Sequence, residues 1–277
     1  MVLTGTPVHA ADAAALPDSV PLATPIVVPV ATPAAVPIWE GAIGPVLHYA
    51  PAYPGAATSR TGLTPGFFVR YGRWTLTNAG GFVTRRNDEV ARGLATDLVQ
   101  AEGLRVNLAL RGDGGRSAGD DPGLRGLDDV RRTVRGKLSA TRKLFGSGWQ
   151  LSLGVSADLF NRGGGVVADT GIGREYRLSP RLVASWGFGL SLADSRNLQS
   201  YYGVNAAESV RSGYPEYHPG AGLRDISLGL GLRADISQRW VGFANLGASQ
   251  LRGPARHSPL THRASNWGIN GGLAWRF

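Results

Sequence analysis

The chain has 277 residues, no cysteine, 40 glycines, 17 prolines and a formal net charge of +9. Without cysteine there is no disulfide scaffold and no thiolate metal site, and no apolar run reaches the roughly 18 residues that a membrane-spanning helix requires. The positive charge admits nucleic acid, anionic lipid or a charged wall polymer as partner, so the placement of the charges has to decide.

In chain order, residues 1–10 lack a basic n-region and an apolar h-region. Val8-His9-Ala10 nevertheless puts small residues where a signal peptidase cuts, which makes this stretch a candidate remnant of a secretory signal. Residues 11–37 are almost wholly Ala, Pro, Val, Asp, Thr and Leu. That composition is too proline-rich for helix or sheet and too poor in large side chains for a core, and predicts a flexible periplasmic lead-in.

From residue 38 to 277 the signal is alternation with a period of two, the mark of strands whose side chains point to opposite faces. Trp149, Leu151, Leu153, Val155, Ala157 and Leu159 alternate with Gln150, Ser152, Gly154, Ser156 and Asp158. Leu182 to Leu192 and Ile226 to Ile236 repeat the pattern against Gly, Ser, Arg and Asp. The last segment sets Trp267, Ile269, Leu273, Trp275 and Phe277 against Asn266, Gly268, Asn270, Gly272 and Arg276. A soluble sandwich would meet its apolar faces in a core, whereas an opposing face of Gly and Ser suits a crowded barrel lumen. The connections alternate as well. They are long at residues 51–64, 112–128, 194–221 and 251–265 and moderate at 85–91 and 161–165, but short at Gly72-Arg73, 100–102, 145–148, Ser179-Pro180 and Ser237-Gln238. Outer-membrane barrels keep periplasmic turns short and let extracellular loops grow. The prediction is an all-β transmembrane antiparallel barrel of about 12 strands, with 10 as the alternative.

The same register assigns the charge. With Leu104, Val106, Leu108 and Leu110 facing lipid, Arg105 and Arg111 turn inward; with Val130, Val134, Leu138 and Ala140 outward, so do Arg131, Arg135 and Lys137. This basic lumen cluster admits an anion-attracting pore, or a filled lumen in which the cations pair with Asp158, Asp225 and Asp235; the filled lumen is the preferred account because small barrels pack their interiors. No stacking or recognition motif supports nucleic-acid binding.

No catalytic, cofactor or metal site is expected. His257 adjoins Ser258, but neighbours on a strand point apart and no third triad member is implied. Gly163-Gly164-Gly165 lacks the Lys and the strand-to-helix context of a phosphate cradle. The pairs Asp120-Asp121 and Asp128-Asp129 read as solvated loop rather than calcium ligands.

Several stretches resemble the MltA-interacting protein (MipA/OmpV) family. The most specific is Tyr201-Tyr202-Gly203-Val204 with Ser212-Gly213-Tyr214-Pro215-Glu216-Tyr217-His218-Pro219-Gly220-Ala221-Gly222 and Asp225. Tyr49 to Gly55, Gly123 to Leu127 and Ser258-Pro259-Leu260-Thr261 are similar to further patterns of that family. The terminal strand, with Trp275 and Phe277, resembles the signature read by the barrel-assembly machinery. The resemblance implies an outer-membrane protein surrounded by lipid and proposed to scaffold murein synthesis, joining a lytic transglycosylase to a bifunctional peptidoglycan synthase. The alternative is a small anion-preferring pore, or a barrel serving adhesion or stress-related permeability. The Tyr-Pro-rich segment is expected to fold as a lid over its own barrel.

Overall fold

The computed structural model describes residues 39–79, 82, 92–144 and 148–277. The expectations for residues 1–10, 11–37, 85–91 and 145–147 lie outside the described residues.

Twelve antiparallel strands form one closed barrel in which every strand pairs with its sequence neighbours and the last returns to the first. They are β1 (Trp39–Pro51), β2 (Ser59–Tyr71), β3 (Trp74–Thr77), β4 (Gly93–Ala101), β5 (Leu104–Asp113) and β6 (Thr133–Leu144). Then come β7 (Trp149–Asp158), β8 (Val166–Ser179), β9 (Leu182–Ala193), β10 (Gly222–Asp235), β11 (Trp240–Leu251) and β12 (Ser265–Arg276). No described helix is long and apolar enough to cross a membrane. The expected alternation of faces holds. Leu153 and Leu228 are 54% and 47% exposed on the outer wall, an arrangement that is favourable when the solvent there is hydrocarbon. At the short-turn end, aromatic pairs ring the wall: Trp39 with Tyr71 at 4.6 Å, Trp149 with Trp186 at 5.5 Å and Trp275 with Phe277 at 5.7 Å. The Arg174 guanidinium lies over Trp149 and Tyr176, at 5.4 and 4.7 Å from the ring centres. Tyr49 and Trp267 meet at 5.0 Å towards the long-loop end, so aromatic side chains sit at both interfaces.

Three boundaries differ from those expected. β2 begins at Ser59 rather than after residue 64, because Ser59 to Thr64 pair in register with β1 from Pro51 to Val46 although their side chains do not alternate in polarity. β3 has only four residues. β6 starts at Thr133; Val130 forms an isolated bridge with Arg116 instead, and Arg131 lies ahead of the strand, exposed. Arg131 is therefore not a lumen residue of β6, because the period-two pattern was carried past the point where the ladder ends.

The interior is narrowed from one side near the short-turn end. Ala79 and Phe82, from the β3–β4 connection, pack inside the wall against Ala42, Phe68, Val241 and Ala274, and Phe82 meets the Phe243 ring edge-on at 5.1 Å. Burying a Phe such as Phe82 fully is worth about 1.5–3 kcal/mol. Small residues elsewhere let the strands close. A Cβ at Gly44 would collide with the Leu273 carbonyl across the β1–β12 seam, whereas one at Gly187 would lie an ordinary 3.8 Å from the Ile172 oxygen. Gly44→Val is accordingly expected to cost about 1–3 kcal/mol through overpacking and to deplete the compact, heat-modifiable band in electrophoresis. Gly187→Ala should leave that band at its parental level.

Candidate functional site

The connections at the opposite end are long because they build a second layer. Residues 52–58, 114–132, 194–221 and 252–264 contain α1 (Ser195–Tyr202), α2 (Ala206–Ser212) and α3 (Gly253–His257), and their side chains converge. Tyr53, Leu124, Leu127, Val204 and Leu260 form one buried cluster on which Tyr214 and Tyr217 pack. Leu198, Tyr202 and Ala255 join Val167, Ala193 and Leu251 of the wall in another. Polar groups of the loops are paired across long sequence separations, as burial demands. Tyr53 donates to the Leu260 carbonyl (2.9 Å), Tyr217 to that of Pro254 (2.7 Å), Tyr214 to that of Gly123 (3.1 Å) and Ser258 to that of Tyr202 (2.6 Å). Buried Glu208 completes a capping box with Asn205 at α2 and also accepts from the Asp128 backbone N–H. Gly213 ends α2 in a left-handed conformation (φ 78°) that favours glycine.

Ser258 spends its hydroxyl on the Tyr202 carbonyl and the Leu260 N–H, so it is a loop staple beside an exposed His257. Asp120 accepts from the Ser117 N–H and bonds Arg60, Asp121 accepts from the Gly123 N–H and from Thr58, Asp128 pairs with Arg211, and Asp129 accepts from Ser117 and Ala118. The Ser117 hydrogen bond holds the Asp120 carboxyl below its usual range. Gly203 ends α1, Pro219 is buried, Gly220 is exposed, and Gly222 opens β10 with the Pro254 ring against it. Phe277 exchanges backbone hydrogen bonds with Gly41 of β1, and the Trp275 ring stacks on that of Phe277.

Beneath the lid lies a chamber of about 440 Å3. Here the lumen cations and the tyrosine motif, far apart in sequence, come together. Arg111, Arg135 and Lys137 arrive from β5 and β6, Tyr201 and Tyr202 from α1, and Asp225 from β10. Arg135, buried, lies 3.6 Å from Asp113 and donates to the carbonyls of Gly164 (2.6 Å), Gly165 (3.2 Å) and Ser156 (3.2 Å). Lys137 reaches Asp169 at 3.3 Å. Asp113 also accepts from Tyr201 at 3.1 Å. The filled-lumen pairing thus has other partners than expected. Asp158 binds Thr133 and the backbone N–H groups of Phe160, Arg162 and Gly164; Asp225 pairs with Arg224 at 2.8 Å; and Asp235 pairs with Arg233 (3.4 Å) and Arg276. Arg105 sits lower, held by Asp97 with bonds of 2.7 and 2.8 Å, and does not line the chamber.

Sequence reasoning missed Arg224, Asp113, Asp169 and Asn197. A bulge between Leu223 and Asp225 puts Arg224 on the lumen side beside its neighbour, a break in register that alternation does not reveal. Asp113 and Asp169 did carry a signal, as each falls at a lumen position opposite or near a predicted cation.

A single closed wall, lipid-facing outside and polar within, capped by loops at one end, defines a Gram-negative outer-membrane β-barrel. The chain matches the family model for the MltA-interacting protein MipA over residues 43–277 and belongs to that family. It is similar in fold to an outer-membrane channel of Pseudomonas putida F1 (14% identity, 87% of this chain and 96% of that one, TM-score 0.44). The same holds for Vibrio cholerae OmpT (9%, 87% and 97%, 0.40) and an anion-selective porin from Comamonas acidovorans (11%, 87% and 99%, 0.39). No curated protein matches the chain in sequence.

Burial raises the phenol pKa of Tyr53 and of Tyr201, with Asp121 and Asp113 adding to it, and pushes Tyr202 up to about 12. A raised phenol pKa contributes stability that is complete below the ordinary value of 10.0 and is lost as pH climbs through the folded-state value. The lid is expected to resist trypsin unchanged up to about that ordinary value and to become cleavable above it, in parallel with tyrosinate absorbance. Tyr202→Phe should make the loss less steep.

Proposed function

We propose that this protein is a non-conducting anchor in the outer membrane that engages a murein-cleaving lytic transglycosylase, and through it a peptidoglycan synthase, on its periplasmic face. The observation carrying this reading is that four loops pack into a lid over one end of the lumen, while the Phe82 cluster narrows it from one side at the other. Between them the cations are largely neutralised by carboxylates. A barrel so capped and narrowed offers a protein partner its rim rather than its bore.

The periplasmic rim suits that task. The described turns and strand ends expose Arg73, Lys143, Arg177, Arg181 and Arg239, with Glu102 as the acidic residue among them. Such a ring would steer an acidic partner surface and make association depend on ionic strength. Two residues favour a second reading, an anion-preferring pore. Arg92 and Arg111 line lumen cavities, and neither has an ion-pair partner among the described residues.

Purified barrel in detergent, tested against a purified lytic transglycosylase by surface plasmon resonance, should bind saturably. Replacing Arg73, Arg181 and Arg239 together with Glu should weaken binding at least tenfold, as raised salt should. Planar bilayers containing the same protein should show no stable conductance steps. Anion-selective steps that shrink in Arg111→Ala, together with no partner binding, would replace the anchor reading by the pore.

A further inference from the structure

We infer that the chamber beneath the lid is a binding site for a small polyhydroxylated monoanion of sugar-acid type. This goes beyond the anchor reading and stands or falls separately from it. The volume, about 440 Å3, lies within the range of small-molecule pockets, roughly 300–1,000 Å3.

Charge inside the chamber specifies one anion. Three of its cations have carboxylate partners: Arg135 with Asp113, Lys137 with Asp169, and Arg224 with Asp225. Arg111 also lines the chamber and has no ion pair or hydrogen bond among the described residues. One guanidinium is left over, with its planar fork of donors open to a carboxylate.

The uncharged groups specify hydroxyls. Asn197 of α1 is 3% exposed and lines the same chamber. Its amide N–H donates to the Gly164 carbonyl at 2.7 Å, while its Oδ1 is buried with no partner. A buried acceptor without a donor costs about 1–3 kcal/mol, and a ligand hydroxyl would satisfy it once the amide turns toward the chamber that Asn197 lines. Ser156, Ser249 and Tyr201 add further polar groups around the cavity. A bare inorganic anion would satisfy Arg111 and leave Asn197 orphaned; a neutral sugar would do the reverse. A molecule carrying a carboxylate and several hydroxyls serves both. Asn197, Tyr201 and Tyr202 belong to the lid, so an occupied chamber also holds the lid down.

Isothermal titration of the full chain in detergent, with D-glucuronate, D-glucose and acetate as probes, tests this. Glucuronate is expected to bind saturably and to slow trypsin cleavage of the lid, with D-glucose and acetate at least tenfold weaker. Arg111→Gln should weaken glucuronate at least tenfold, and Arg111→Lys, which keeps the charge but not the fork, should recover only part of the loss. Arg131→Gln, which removes the same charge outside the chamber, should change nothing. Heat-modifiable migration reports that each variant is folded. No saturable glucuronate binding to the parent, equal binding of acetate or glucose, or indifference to Arg111→Gln would each overturn the proposal.

Discussion

In hydrocarbon no water is available to a backbone N–H or C=O, so every strand must find partners on both sides or the sheet must close. The pairing of β1 with β12 meets that demand here, with Ala42 opposite Arg276 and Tyr49 opposite Ile269. Much else follows from it. Gly44 has to be small because the Leu273 carbonyl passes where its side chain would be, and β2 is recruited along its full length even where its side chains carry no strand pattern.

Closure creates an interior, and an interior lined with glycine and short polar residues has to be filled or left wet. The chain uses three devices. Phe82 and Ala79 enter from the connection after the shortened β3 and form an apolar cluster against one side of the wall. Arg105 of the wall reaches a carboxylate on the neighbouring strand, and Lys137 reaches one two strands away. The four long connections then supply their own apolar clusters, so the lid is a small core stapled by tyrosine hydroxyls. The chamber beneath the lid is polar and carries one cation more than its carboxylates balance.

Chemistry-bearing residues were legible to the extent that they obey the two-residue period. Arg111, Arg135 and Lys137 face the lumen because Leu108, Leu110 and Leu138 face lipid. Arg131 fails the rule because β6 begins two residues after it, and Arg224 escapes it because a bulge interrupts β10. Partners were harder to read than positions. Arg105 pairs with Asp97 across one hairpin, whereas Lys137 reaches Asp169, a distance set by barrel curvature rather than by spacing.

By itself the sequence determined most of the wall: a barrel of about 12 strands, the face of side chains that keep the two-residue period, the end bearing short turns, and the family to which the Tyr201-to-Gly222 stretch points. These follow from local rules, since alternation and turn length act over a few residues. The lid, the Phe82 cluster and the chamber were decided only by tertiary structure. Their contacts join residues as distant as Tyr53 and Leu260, and no local pattern encodes which loops meet once a closed barrel has brought their ends to one rim.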